Sequence, residues 1–99
     1  MAVQGETREK TRIDIREPKH YSVIMHNDDF TAMDFVVEIL IDIFHKDEME
    51  AIHLMLMVHE SGRAVVGSYP YDIAVTKVQA AKARAKEAGF PFRMTVEES

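Results

Sequence analysis

The apolar positions change period several times along the chain, and each change marks an element. Tyr21-Ser22-Val23-Ile24-Met25 is a short aromatic and β-branched run ended by Asn27-Asp28-Asp29, the signature of a strand. From Met33 the period lengthens. Met33, Val36, Val37, Leu40, Ile43 and Phe44 recur at three- and four-residue steps, which predicts a helix over about 32–44. Asp34, Glu38 and Asp42 share one narrow outer stripe, so this helix should be covered on more than one side. Thr31 is its predicted N-cap, with Asp34 close to a capping-box position. His45 and Lys46 bring basic groups to its negative end.

Asp47 should cap a second helix, with Glu50 at the third position. The apolar pattern there runs Met49, Ile52 and Met55 (or Leu56), closing near His59, and Gly62 suits the left-handed residue beyond the end. Arg63 to Tyr69 reads as a second strand. Pro70 fits the first position of a third helix and Asp72 its first turn. Ala74, Val78, Ala81, Ala85 and Ala88 give that helix a stripe of small residues, and Gly89 stops it. Phe92 to Val96 is a short third strand, followed by an acidic end. The order is β-α-α-β-α-β. Few short strands and long helices predict an α+β sandwich with the helices on one sheet face. The first two helices share a short linker and must pack closely. The start of one then lies near the end of the other, and His59 comes within reach of Asn27 and Asp29.

Composition narrows the class. A chain of 99 residues is one domain at most, and 46% apolar with 29% charged content is ordinary for a globular protein. Residues 1–19 are an exception: mixed charge with only Val3, Ile13 and Ile15 as larger apolar groups predicts a flexible tail before a core domain over 20–99. No apolar run approaches the ~18 residues that span a bilayer, so no membrane contact is expected. The charged start has no apolar leader core, which points to the cytoplasm. The absence of cysteine removes disulfides, thiolate nucleophiles and zinc–sulfur sites. A net charge of −5 argues against nucleic acid as a partner.

The polar residues Asn27, Asp28, Asp29 and His59 remain as candidates for chemistry, and spacing leaves four readings open. Asp28, Asp29 and His59 could hold a metal, in a small metal-dependent hydrolase, given a further ligand; His26 adjoins them but strand alternation points it to the face opposite Asn27, whereas His53, six residues before His59, could share a broad helix face with it. Asp29 and His59 could act as general acid and base, although no nucleophile motif, phosphate loop or cofactor motif accompanies them. The loop could simply cap a helix. Or Asn27, Asp29 and a ring nitrogen of His59 could accept from an ammonium group, with Met33, Val36, Met55 and Val58 lining an apolar hole beside it. An interaction domain like that of the ribosomal stalk has the same element order and is a further alternative.

Residues 27–36 (Asn-Asp-Asp-Phe-Thr-Ala-Met-Asp-Phe-Val), Leu54 to His59, Gly62 with Gly67, Thr76-Lys77-Val78 and Phe90-Pro91-Phe92 stand in an order and spacing that resembles the ClpS family, the adaptors of the bacterial N-end rule pathway. The resemblance covers about residues 20–97. It implies a three-stranded antiparallel sheet covered by three helices. It also implies a non-enzymatic, monomeric, cytoplasmic adaptor without a metal or other cofactor. Such an adaptor binds an N-terminal Phe, Tyr, Trp or Leu and delivers the substrate to the N-domain of a ClpA- or ClpC-type AAA+ unfoldase with its ClpP protease. By that resemblance Asn27, Asp29 and His59 bind the α-amino group, with Asp28 at the rim. Thr31, Met33, Val36, Met55, Val58 and Phe92 line the side-chain pocket, and Met33 is the gatekeeper against β-branched residues. Asp72 and Lys77 lie on the unfoldase-docking surface, and the tail engages the unfoldase during hand-over. The chain departs from the family pattern at Ala32 (usually Pro), Pro70 (usually Thr), Val75 (commonly acidic), Met57 (often smaller) and Phe92 (commonly Leu).

Overall fold

A single turn of strand logic sets the sheet. Successive side chains of a strand point to opposite faces, and Val23 and Met25 are both fully buried. They belong to β1 (His20–His26), the centre of one antiparallel sheet in the order β2-β1-β3. The computed structural model describes residues 19–99, and all that follows concerns them; the tail expected over 1–19 lies outside, save Lys19. β2 (Arg63–Pro70) and β3 (Arg93–Glu98) flank β1, with Met25 opposite Ala64 on one side and Met94 on the other. The β1–β2 register steps from Val23–Gly67 to Ile24–Val65, so Val66 has no partner and forms a bulge. Ile24 points away from the helices. It is covered on the outer face although it lies outside the main core.

Three helices, among the described residues, close the other face: α1 (Met33–Asp42), α2 (Glu48–Ser61) and α3 (Tyr71–Ala88). The element order and the three-stranded antiparallel sheet are those expected. α3 lies across all three strands, α2 packs on β2, and α1 packs on α2. The small residues Ala74, Ala81 and Ala85 are buried and let α3 approach closely, whereas Ala88, expected in the same stripe, is exposed. Ile39 and Leu40 are fully buried in α1, each contributing about 1.5–3 kcal/mol of transfer free energy. Among the described residues no helix is long and apolar enough to cross a membrane.

Several local expectations need correction. The buried face of α2 is Ala51, Leu54 and Val58, not Met49 and Ile52; Met49 is 84% exposed. Small Ala51 permits closer packing than Met49 could. α1 ends at Asp42 rather than Phe44, because His45 turns left-handed at φ 58° and Lys46 N–H closes back on the Leu40 carbonyl at 3.0 Å. The cation at this helix end comes from α3: the Lys77 ammonium donates to the Ile43 carbonyl at 2.8 Å. Arg84 of α3 pairs with Asp42 at 3.0 Å and with Glu38 at 3.9 Å. Pro70 is the N-cap of α3, one position before the place expected. Phe92 precedes β3, and the acidic end continues the strand because Glu97 and Glu98 stay paired with Ser22 and Tyr21. Asp47 does cap α2, accepting from Glu50 N–H at 2.8 Å, and Gly62 and Gly89 end α2 and α3 with φ of 91° and 82°.

Candidate functional site

β1 ends where α2 ends, and a backbone bond joins them: Asn27 N–H donates to the Gly62 carbonyl at 2.9 Å. A cavity of about 140 Å³ opens beside that junction. Met25 reaches it from β1, and Asn27, just past the strand's end, keeps the same alternating face. The turn supplies Asp28, Asp29 and Thr31, and the first turn of α1 supplies Met33 and Val36. Met55, Val58 and His59 come from the last turns of α2, and Phe92 closes the wall ahead of β3. The antiparallel packing of α1 and α2 thus brings Asn27, Asp29 and His59 to one cavity.

The lining is divided by polarity. Asn27, Asp29 and His59 are exposed at the mouth. Met25 (0%), Val58 (6%) and Phe92 (6%) form a buried apolar floor. Met33 is half-exposed between the two zones. Phe92 is braced from behind by Phe35, in a T-shaped contact at 6.1 Å, and Phe35 packs on Phe90 at 5.0 Å.

The turn is built differently from the helix cap the spacing predicts. Ala32 is the N-cap of α1 and makes no side-chain cap bond. Thr31 instead donates its hydroxyl to Asp28 Oδ2 at 2.7 Å. Asp28 Oδ1 accepts from the N–H groups of Phe30 and Thr31, both at 2.8 Å. Thr31 stands one residue before the cap, outside the position from which a side chain accepts from the first helical N–H groups. Burial pushes the Asp28 carboxyl up, but the Thr31 hydroxyl and the two N–H groups outweigh it and hold it below its usual value of 3.8.

Two lining residues lie outside the expected set. Met25 could have been found by alternation, since it shares a face with Asn27. His26 was expected to point away, and its Nε2 does bond Thr95 Oγ1 across the outer sheet face at 2.7 Å, yet the residue also borders the cavity. Burial, then Arg93 and Arg63, lower its pKa from the usual 6.5, against a weaker opposite pull from Glu97. Asp72 and Lys77 lie elsewhere, in a separate shallow groove on α3 with Ile73 and Thr76. Among the described residues no three His, Asp or Glu side chains are grouped to hold a metal ion, so the reading of Asp28, Asp29 and His59 as a metal site is set aside. Asp28 is already committed to its own turn.

Fold and cavity define a small α+β binding domain with an acceptor-rich mouth above an apolar floor. The chain belongs to the ClpS family: the family model described as ATP-dependent Clp protease adaptor protein ClpS matches residues 16–95. Among its relatives, the ATP-dependent Clp protease adapter protein ClpS of Wolinella succinogenes is 52% identical over 94% of this chain and 91% of its own length. That of Acetivibrio thermocellus is 48% identical over 98% of each chain. The solved structure of Agrobacterium tumefaciens ClpS2 bound to L-phenylalaninamide superimposes with a TM-score of 0.81 at 40% identity, covering 84% of this chain and all of that one.

Proposed function

We propose that the cavity receives the N-terminal residue of a substrate polypeptide. On this reading the chain is a non-enzymatic adaptor that hands such substrates to a ClpA- or ClpC-type unfoldase and its ClpP protease. The carrying observation is the division of one cavity into exposed acceptors and a buried apolar floor. An N-terminal Phe, Tyr, Trp or Leu has the matching shape: a cationic head one carbon from an apolar side chain. L-phenylalaninamide, found on the Agrobacterium relative, carries both groups, and its amide stands in for the first peptide bond.

The magnitudes support the assignment. An α-amino group has a pKa of about 7.7–8.0 and is mostly protonated at neutral pH. Asn27, Asp29 and His59 accept its three hydrogens, each charge-assisted bond contributing roughly 1.5–3 kcal/mol. Thr31, Met33, Val36, Met55, Val58 and Phe92 surround the side chain, whose burial adds about 1.5–3 kcal/mol. After the cost of association this gives roughly micromolar or tighter binding. A cavity of about 140 Å³ also suits a ring, since an apolar cavity of about 150 Å³ takes up benzene.

The remaining parts of the reading concern delivery. The α3 groove with Asp72 and Lys77 is the proposed unfoldase contact. Lys77 is partly committed there, its ammonium bonding the Ile43 carbonyl and lying over the Phe44 and Tyr69 rings at 5.8 and 5.6 Å. The tail over 1–19 is proposed to engage the unfoldase, and the adaptor to work as a cytoplasmic monomer in a bacterium. The test of the site is a titration of labelled peptides that begin with Phe, free or Nα-acetylated. The free peptide should bind and the acetylated one should not; equal binding of both removes the amino group from the recognition.

A further inference from the structure

The two carboxylates at the mouth are adjacent in sequence but differ in what they hold. Within the turn Asp28 already accepts three hydrogen bonds, of the roughly four that a carboxylate can take. Its Oδ1 takes the Phe30 and Thr31 N–H groups at 2.8 Å, and its Oδ2 takes the Thr31 hydroxyl at 2.7 Å. Asp29 makes no side-chain hydrogen bond or ion pair to the described residues, and it is exposed at the cavity mouth. The turn persists although it leaves Phe30 78% exposed. Apolar burial therefore does not set its shape; the polar bonds of Asp28 do.

We propose that Asp28 is a positioning residue: through Thr31 and two backbone N–H groups it folds the turn that presents Asn27 and Asp29 to the ligand's amino group, and it does not itself hold that group. This inference deepens the N-terminal-residue reading and rests on it. Two consequences follow from the bonding. The hydroxyl hydrogen of Thr31 is spent on Asp28, so Thr31 borders the cavity without a free donor for the ligand. And the charge of Asp28 is not what the turn needs. An asparagine there keeps Oδ1 for both N–H groups, while its Nδ2 donates to a Thr31 hydroxyl that has rotated. A carboxylate that binds the ammonium loses its function as the amide; one that only shapes the turn keeps most of it.

The experiment measures binding of a fluorescein-labelled peptide beginning with Phe to the full chain and to six variants, each checked for folding by circular dichroism. Asp28→Ala and Thr31→Val should each weaken binding about tenfold or more, since each breaks a charge-assisted bond in the turn. Asp28→Asn and Thr31→Ser should recover to within about threefold of the unaltered chain, because each retains the bonding groups. Asp29→Asn should lose about tenfold or more, as a charge in direct contact does. The Asp28→Ala, Thr31→Val double variant should be no more than about threefold weaker than Asp28→Ala, because both changes cut one network. If Asp28→Asn is as damaging as Asp29→Asn, Asp28 binds the ligand directly and the positioning role is overturned. If Asp28→Ala is harmless, the turn does not depend on it and the role is overturned equally. If the unaltered chain does not bind the peptide at all, the function reading itself falls and this inference falls with it.

Discussion

Asn27 and Gly62 are joined by a backbone hydrogen bond of 2.9 Å, and that bond fixes the geometry of the cavity mouth. Gly62 also donates its own N–H to the Val58 carbonyl at 2.8 Å. The strand end that carries Asn27 and the helix end that carries Val58 and His59 are thus locked to one residue. The acceptors converge because the backbone places them.

Gly62→Ala tests that lock. Gly62 sits at φ 91°, and a Cβ there would meet nothing within 4 Å, so only backbone strain opposes the change. A left-handed non-glycine residue costs about 1–2 kcal/mol. For a domain of this size each kcal/mol lowers Tm by about 4–8 °C. A thermal melt should show that drop, with weaker binding of a Phe-first peptide as His59 shifts relative to Asn27. An unchanged melt would remove the strain argument.

Met33 is 48% exposed and lies between the acceptors and the floor. On the proposed function it narrows the entrance where a ligand branched at Cβ would collide with it. Met33→Ala should admit peptides beginning with Ile or Val while keeping those beginning with Phe. Competition binding across the four residues measures this, and unchanged selectivity would take Met33 out of the gatekeeper role.

Phe92 serves both core and cavity. It is 6% exposed and packs edge-on against Phe35. Phe92→Ala should cost about 3–5 kcal/mol in urea unfolding, the usual range for a buried aromatic ring. Phe92→Leu should cost only roughly 1 kcal/mol and should enlarge the hole, raising affinity for a Trp-first peptide relative to a Leu-first one. The opposite ranking would mean that Phe92 does not bound the pocket.

His26 gives the fold a pH dependence with a definite sign. Burial and the neighbouring Arg93 and Arg63 lower its pKa in the folded chain from 6.5. As pH falls below that value the unfolded chain takes up a proton that the folded chain still resists. Stability is therefore complete above about pH 6.5 and declines as pH falls toward the folded pKa. Urea unfolding at pH 7 and pH 5 should show a larger loss for the unaltered chain than for His26→Gln. Equal losses would place the effect elsewhere.

Much of the fold is written locally. The strand of Val23 and Met25, the cap at Asp47, and the stops at Gly62 and Gly89 each follow from a few adjacent residues, and each stands where the pattern predicts. The face of α2 was not legible in that way. Its methionines and leucines are spread around the helix, so Met49, Ile52, Leu54 and Leu56 offer competing stripes. The choice of Ala51, Leu54 and Val58 is made by which side β2 and α1 cover.

The sequence by itself determined the element order, the helix stops and the residue types a receptor for a small cation would need. Only the tertiary structure decided which of those residues meet at one cavity and which are tied up in their own turn. Thr31 looks like a helix cap when read along the chain, because capping is a matter of local spacing. In the folded chain the helix starts one residue later, with Ala32 at the cap, and the Thr31 hydroxyl donates to Asp28 at 2.7 Å instead. Asn27 and His59 share a mouth because Gly62 bonds back to Asn27, a relation between residues far apart in the chain that no local pattern encodes.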